Sequence, residues 1–266
     1  MSNLDRRQGE LRTVTMAEMV ATALRDQILD GRLVDGERLP RQDVLAASFD
    51  ISGPSVREGL RILEAEGLIT VRRGKFGGAF VHSPKPGNAA YMLAVVLESQ
   101  RVPLHEIGSA LRDLEPVCAG RCAARQDRSA EVLPRLEKLH REMVTYDGDD
   151  YRDNIRLGLE FHEALVTGSG SITLITMIGA LESIWFAHAE AWVAANLGAA
   201  DVLPGSEYAA TRNHEHGLLL ERIQDGDVDG ATAVARHHLD RSRLHTARDD
   251  VENQVVKASL LGARKA

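Results

Sequence analysis

Three histidines in the second half of the chain have the residue type and the positions that suit metal binding. His162, His216 and His238 each fall on the apolar side of a predicted helix; His162 follows Leu159 at helical spacing, and His238 shares a side with Val234. Three imidazoles on the inner faces of three helices can converge on one zinc-like ion. A single histidine on such a face is more often a core residue, so the residues themselves leave both interpretations open.

A second set of residues suits binding to a polyanion. The stretch "SGPSVREGLRILEAEGLITVRRGK" predicts an amphipathic helix followed by a β-hairpin. Arg57 and Arg61 lie four residues apart and off the apolar face of that helix. The planar fork of arginine can hold a phosphate or the edge of a guanine with two hydrogen bonds. The hairpin adds Arg72, Arg73 and Lys75. Interspersed glutamates leave the alternative of a solvated, charged helix face.

The composition restricts how such a surface can work. The chain has 266 residues, enough for two domains, and a formal net charge of −7, so binding to DNA requires a local basic face. The N-terminus lacks the apolar core of a signal peptide. The longest apolar run, "AAYMLAVVL", is about half of the roughly 20 residues that a membrane span needs. We therefore expect a soluble, cytoplasmic protein that does not bind membranes.

Residues 11–82 are predicted to form three helices and a two-stranded hairpin. Thr15 and Glu18 have the spacing of a capping box, Ser52 is a suitable N-cap for the third helix, and Pro54 sits early in it. "LITVRR" and "GAFVH" predict two strands joined by a glycine-rich tip. This order is typical of a winged helix-turn-helix domain, in which the third helix enters the major groove and the hairpin touches the DNA beside it.

The rest of the chain is predicted to be helical. "SPKPGN", residues 83–88, is expected to be a linker, and residues 89–250 an all-helical domain of six or seven helices. Pro116 is expected to kink or split one of these helices. Residues 251–266 are expected to be a fraying tail. The fold class is mainly α, with one small β-hairpin.

The first domain resembles the DNA-binding domain of GntR-type bacterial transcription regulators. The phrases "DGRLVDGERLP", "VREGLRILEAEGLI" and "GGAFV" carry this resemblance. It implies operator contacts from Ser52, Pro54, Arg57, Arg73 and Gly74. Two departures suggest an altered operator preference: Gly53 stands where the family usually has arginine, and Arg41 begins a turn that usually reads Ser-Glu-Arg. With the basic residues above, the candidate DNA-binding residues are Arg41, Ser52, Pro54, Arg57, Arg61, Arg73, Gly74 and Lys75.

The helical domain resembles the FCD domain of the FadR subgroup of these regulators. "LRDLEPVCAGRCAAR", "LGLEFHEALVTGSGS", "EHGLLLERIQDGDVDGA" and "ARHHLDRS" carry this resemblance. It implies a homodimer and a small effector, often a carboxylic acid, in a pocket that frequently contains a divalent metal. Arg112 matches an arginine that faces the effector in that family; its alternative is a surface pair with Glu115. The candidate effector-binding residues are Arg112, His162, His216 and His238.

His162, His216 and His238 also match the family's metal ligands, which favours zinc or a similar divalent ion. The family's fourth ligand is an aspartate, and its position here is Gly158. Glu160 is two residues from His162 and is therefore expected to point elsewhere, and Asn154 is two turns away. Either the three histidines hold a metal with water or an effector carboxylate, or the pocket has given up metal.

These features predict a ligand-responsive transcription regulator: a dimeric repressor that a carboxylic acid metabolite releases from a palindromic operator. One alternative is a metal-dependent enzyme that uses the three histidines. The sequence has no evident nucleophile elbow, P-loop or dinucleotide-binding loop, so we expect no catalysis. A second alternative is a DNA-binding dimer without an effector.

Overall fold

The computed structural model describes residues 14–74, 77–146, 151–196, 206–246 and 253–262. The chain divides after Pro84 into two compact units, each of which has its own core.

The first unit contains three helices and a hairpin. Thr15 and Glu18 form the predicted capping box, and the hydroxyl of Ser52 accepts a hydrogen bond from the Ser55 amide at the start of the third helix. The two strands are antiparallel, with Ile69 opposite Val81. The elements are α1 (Met16–Leu29), α2 (Gln42–Phe49), α3 (Gly53–Ala65), β1 (Ile69–Arg72) and β2 (Gly78–Val81).

Helices α1 and α3 pack closely because a glycine lies at their contact. A Cβ added to Gly59 would lie 2.9 Å from the carbonyl oxygen of Ala17 and 3.3 Å from Val20, closer than such atoms normally approach. The apolar faces of the helices and the inner face of the hairpin form one core beside this contact, which includes Val20, Leu24, Val56, Leu60, Leu63, Ile69 and Val81. The winged helix-turn-helix fold predicted from the sequence is confirmed.

The second unit is helical throughout its described residues, apart from an isolated β-bridge. Its elements are α4 (Pro86–Ser99), α5 (Leu104–Ala124), α6 (Arg128–Glu131), α7 (Leu133–Thr145), α8 (Tyr151–Gly168), α9 (Ile172–Asn196), α10 (Ser206–Asp225), α11 (Val228–Thr246) and α12 (Ser259–Gly262). Seven of these are long helices, as predicted. Helix α5 packs against α8, α9, α10 and α11, and it therefore runs through the middle of the bundle.

Two details of the second unit differ from the sequence-based expectations. Helix α4 begins at Pro86, so the second half of the expected linker is the first turn of a helix; proline suits that position because its missing N–H needs no partner there. Helix α5 is continuous through Pro116, which is buried. The prediction that this proline splits the helix was wrong, because packing on several sides outweighs the loss of one backbone hydrogen bond.

The C-terminal segment is a third difference, since residues 253–262 pack on the second unit instead of fraying. Val256 is fully buried, its amide donates to the Val102 carbonyl, and Leu104 donates to the Gln254 carbonyl at 2.8 Å. The Lys257 amide donates to Nε2 of His188 at 2.9 Å. The sequence around Val256 is only weakly amphipathic, so its local pattern did not indicate these contacts.

Among the described residues, the stretch Ile172–Ala195 of α9 is long and apolar enough to cross a membrane by length and composition, with a mean hydropathy of 1.4. By that measure it departs from the expectation that no segment could span a membrane. Ile178 and Ile184 of this helix are fully buried against the rest of the unit, and its His188 is buried and hydrogen-bonded. We therefore interpret α9 as a core helix of the bundle.

Candidate ligand site and candidate DNA-binding surface

The structure brings His162 of α8, His216 of α10 and His238 of α11 together. Their ligand nitrogens all lie within 4.8 Å of one another. Nε2 of His238 is 3.2 Å from Nε2 of His216 and 3.3 Å from Nε2 of His162. His216 and His238 are buried, and His162 is mostly buried. The ring of His216 is stacked on Phe161, with centroids 4.0 Å apart, which fixes its plane.

Two buried carboxylates fix the tautomers of these imidazoles. Nδ1 of His238 lies 2.9 Å from Oε2 of Glu215, and Nδ1 of His162 is hydrogen-bonded to Oε1 of Glu115. A carboxylate accepts hydrogen bonds, so each Nδ1 carries the proton and each Nε2 presents a lone pair. A carboxylate behind an imidazole also orients it and raises its basicity as a metal ligand.

This arrangement fits a divalent ion better than it fits a set of core histidines. Without an ion, a proton on Nε2 of His216 can satisfy one contact with His238, but the lone pairs of His238 and His162 still face each other. Two nitrogen ligands in a tetrahedral zinc site lie about 3.3 Å apart, close to the observed 3.2 and 3.3 Å. Nδ1 of His216 is buried without a partner among the described residues.

Burial keeps the cluster neutral. It lowers the pKa of His216 well below the ordinary value, and the positive charges of the neighbouring histidines and of Arg212 act in the same direction. Burial also lowers the pKa of His238, although the hydrogen bond from Glu215 opposes this shift. Neutral imidazole is the form that binds metal, so burial holds these two side chains ready to act as ligands.

The place of the missing fourth ligand faces an arginine. Gly158 is buried one helical turn before His162, and a Cβ added to it would lie 3.6 Å from Nη1 of Arg212. Glu160 points elsewhere, as expected, and pairs with Arg156 at 2.6 Å. The side chain of Asn154 lies outside the described residues.

Arg112 lies on α5 with its guanidinium directed at acidic side chains. Its Nη1 is 3.6 Å from Asp240 of α11, and its Nε is 3.7 Å from Asp113. The alternative partner considered from the sequence, Glu115, is hydrogen-bonded to His162 instead, so that pairing was wrong. The role of Arg112 as an effector contact stays a prediction.

A third buried carboxyl group belongs to Glu182 of α9. Its Oε1 atom is buried without a partner among the described residues. Burial raises the pKa of Glu182 well above the usual value, and the negative charges of Glu115 and Glu163 add to that shift. This side chain is therefore a neutral acid at pH 7.

On the first unit, the start of α3 presents the candidate DNA contacts. Ser52, Pro54, Arg57 and Arg61 are all exposed there. Nη1 of Arg57 would lie 3.6 Å from a Cβ at Gly53, so this side chain lies over the space that Gly53 leaves. Arg61 pairs with Glu58 at 3.0 Å, and Arg41 of the preceding turn pairs with Asp43 at 3.3 Å; both arginines remain exposed.

The hairpin supplies the wing. Arg73 and Gly74 are exposed at its tip, and Gly74 has a φ of +102°, which favours glycine. Lys75 lies outside the described residues. Arg38, which was not singled out from the sequence, donates from Nη2 to the carbonyl of Gly77 and ties the base of the wing to the turn before α2.

Sequence reasoning also missed Glu115, Glu215 and Arg212, although a signal was present. Each of them lies on the apolar face of its helix: Glu115 is four residues after Leu111, and Arg212 is four residues before His216. A charged residue on an apolar face rarely stays unpaired, so this position predicts a buried polar partner.

Comparisons with known proteins agree with this geometry. Residues 106–241 match the FCD domain, and residues 16–81 match the bacterial regulatory proteins of the gntR family. The galactonate operon transcriptional repressor of Escherichia coli (strain K12) is 27% identical over 227 residues, covering 84% of this chain and 93% of that protein. The HTH-type transcriptional repressor NanR of Cronobacter sakazakii (strain ATCC BAA-894) is 26% identical over 233 residues, covering 84% of this chain and 82% of that protein.

Among solved structures, a Streptococcus agalactiae GntR protein has a TM-score of 0.65 and 20% identity, covering 86% of this chain and 99% of that one. At that identity it shows the fold. The FCD match spans half of the chain, and the gntR match covers the winged helix-turn-helix before it. The chain therefore belongs to the FCD-domain, FadR-like branch of the gntR family of bacterial regulatory proteins.

Proposed function

We propose that this protein represses transcription until a small carboxylic acid binds at the three-histidine site of its helical unit and lowers its affinity for operator DNA. The chain is a ligand-responsive, DNA-binding transcription regulator, as its two matched domains and its relatives indicate. The sign of regulation rests on the names of two relatives, which are both called repressors. The convergence of three Nε2 atoms carries the proposal of a sensing site.

A divalent ion at this site would be held by His162, His216 and His238, with Glu115 and Glu215 behind two of them. Such an ion acts as a Lewis acid that binds an oxygen of a small acid. The three imidazoles are neutral nitrogen ligands, so zinc or a similar ion suits them. They leave at least one coordination position for the effector.

On the DNA side, the proposal relies on α3 and the wing. Arg57 and Arg61 are exposed on α3, and Arg73 is exposed at the tip of the wing. These side chains supply the positive charge that the whole chain, at −7, lacks. A palindromic operator follows if two copies bind together, because two-fold symmetry in the protein is matched by two-fold symmetry in its site.

The enzyme alternative has less support. A metal-dependent hydrolase needs a general base close to the metal-bound water. Glu115 and Glu215 both face the Nδ1 side of an imidazole, so they orient ligands and do not reach the open side of the site. The relatives named above are transcription regulators.

Dimerisation is proposed through the helical unit. Helix α4 carries four exposed apolar side chains on one side: Tyr91, Met92, Val95 and Val96. Contiguous apolar side chains on a protein surface mark an interaction site more often than chance. A second copy of the chain is the proposed occupant, and the cytoplasm, where operator DNA is found, is the proposed location.

In vitro selection from random duplex DNA tests the DNA-binding part of the proposal. Wild-type protein should enrich one palindromic sequence and should bind it more tightly than an unrelated duplex at the same salt concentration. Galactonate is a suitable first acid to add, because one relative is named for a galactonate operon. If no sequence is enriched, the protein is not an operator-binding regulator.

A further inference from the structure

One turn before two of the three candidate metal ligands, the chain places an unusual pair. Gly158 is four residues before His162 on α8, and Arg212 is four residues before His216 on α10. Residues four apart share a helix face, so both belong to the side of the helices that carries the histidines. The 3.6 Å between Nη1 of Arg212 and the Cβ position of Gly158 shows that they face each other across the two helices.

The guanidinium of Arg212 is buried and held in place. Arg212 is 7% exposed, and its Nε and Nη2 both donate to Oδ1 of Asn213, at 3.3 and 3.1 Å. Asn213 in turn donates to the carbonyl of Met143. The charge of Arg212 is close enough to His216 to disfavour protonation of that imidazole. A fixed cation therefore borders the three-histidine site.

The charges of the occupied site do not balance. A divalent ion with three neutral imidazoles contributes two positive charges, and Arg212 contributes a third. Glu115 and Glu215 supply two negative charges. A buried excess of positive charge is costly unless an anion accompanies it. Gly158 leaves space for one, since a Cβ at this position would meet no atom closer than 3.6 Å.

We propose that Arg212 and the space at Gly158 form a carboxylate subsite beside the three histidines, so that one carboxylate of the ligand both completes the shell of the ion and pairs with Arg212. This inference rests on the proposed metal site and names the residue that selects an acid there. Arginine suits this role because its fork binds a carboxylate with two parallel hydrogen bonds. Binding of metal and binding of carboxylate therefore strengthen each other.

The test uses full-length protein that has been stripped of metal and titrated with Co²⁺, whose absorption bands report coordination. Acetate should change the wild-type spectrum and tighten Co²⁺ binding, and inorganic phosphate serves as the comparison anion. Arg212→Gln should weaken acetate binding by roughly ten- to a hundredfold, since it removes a charge-assisted pair. Arg222→Gln, an exposed position on the same helix, should match the wild type.

A gain-of-function variant keeps the test decisive if Arg212→Gln fails to fold. Gly158→Asp places a carboxylate of the chain itself opposite Arg212. It should bind Co²⁺ at least tenfold more tightly without acetate, and acetate should no longer change its spectrum.

Three outcomes separate the possibilities. If Co²⁺ binds to wild type and is lost in His216→Ala, but acetate acts equally on wild type and Arg212→Gln, the subsite is wrong and the metal site stands. The subsite is also wrong if phosphate changes the spectrum and acetate does not, or if Gly158→Asp stays as sensitive to acetate as wild type. If wild type binds no Co²⁺ with or without acetate, the proposed metal site itself fails.

Discussion

His238 donates a hydrogen bond from Nδ1 to Oε2 of Glu215 over 2.9 Å, and this contact leaves Nε2 of His238 as a lone pair that faces two other imidazoles. The carboxylate is itself stabilised as an anion. Burial raises the pKa of Glu215, but the hydrogen bond with His238 and the charges of Arg241 and His237 lower it further, so the net shift is downward. The pair therefore prepares His238 as a ligand before any ion binds.

Replacement of Glu215 tests this relationship. Glu215→Gln keeps the size of the side chain but removes the charge behind His238, so metal affinity should fall by about ten- to a hundredfold. Competition with a chromophoric chelator measures this. Glu221→Gln, an exposed position on the same helix, is the matched control and should bind metal like wild type. Equal affinities for the two variants would show that Glu215 does not support a ligand.

Arg57→Ala should weaken operator binding without loss of stability. Arg57 is exposed at the start of α3, and the structure gives it no place in the core. Its loss should cost roughly 1–3 kcal/mol of operator affinity if it contacts a base edge. Fluorescence anisotropy at fixed salt measures the affinity, and a circular-dichroism melt checks the fold. Arg135→Ala, an exposed arginine of the helical unit, is the control. An unchanged affinity in Arg57→Ala would remove this residue from the interface.

Two glycine substitutions should change stability in opposite directions. Gly59→Ala forces a methyl group to 2.9 Å from the carbonyl of Ala17, so the first unit should lose roughly 1–3 kcal/mol of unfolding free energy. Gly158→Ala meets no atom closer than 3.6 Å inside a helix and should gain about 0.5–1 kcal/mol. Denaturant melts measure both. If Gly59→Ala proves neutral, the close contact between α1 and α3 is wrong.

The contact between His188 and the C-terminal segment should make stability depend on pH. Nδ1 of His188 donates to the Ile184 carbonyl, and Nε2 accepts from the Lys257 amide, so the ring must be neutral. Burial lowers the pKa of His188, while the bond to Ile184 and the charge of Glu98 oppose that shift only in part. This contribution is present in full above the ordinary histidine pKa of about 6.5 and is lost as the pH falls below it towards the depressed value.

His188→Gln cannot titrate and keeps an acceptor for the Lys257 amide. Between pH 7.5 and 5, its unfolding free energy should therefore fall less than that of wild type. The other buried histidines are common to both proteins, so the difference isolates His188. His214→Gln, an exposed position, should follow the wild-type curve. Parallel curves for wild type and His188→Gln would mean that this contact is not coupled to protonation.

The apolar stripe on α4 should hold two copies together. The double variant Met92→Glu with Val96→Glu places two charges on exposed apolar positions, so it should sediment as a monomer at micromolar concentration while wild type sediments as a dimer. Val144→Glu, at an exposed apolar position on α7, should remain dimeric. If the double variant is still a dimer, the interface lies elsewhere on the protein.

The sequence predicted the parts of this molecule that depend on local pattern. The capping box at Thr15, the N-cap at Ser52 and the helical phase of His162 are all short-range signals, and the structure agrees with each of them. The continuity of α5 through Pro116 and the packing of Val256 depend on contacts with distant parts of the chain, which short patterns do not report. Arg212 lies between these cases, because its phase was visible and its partner across the bundle was not.

The most direct test of the account is the operator affinity of the metal-loaded protein with and without an acid that binds it. Carboxylic acids, with galactonate among them, are first ranked by the rise in melting temperature that they cause in wild type. The account predicts that the acid which binds most tightly raises the Kd for operator DNA at least tenfold, and that His216→Ala loses this response while it still binds the operator. If that acid leaves the operator Kd of wild type unchanged, the three-histidine site does not control DNA binding.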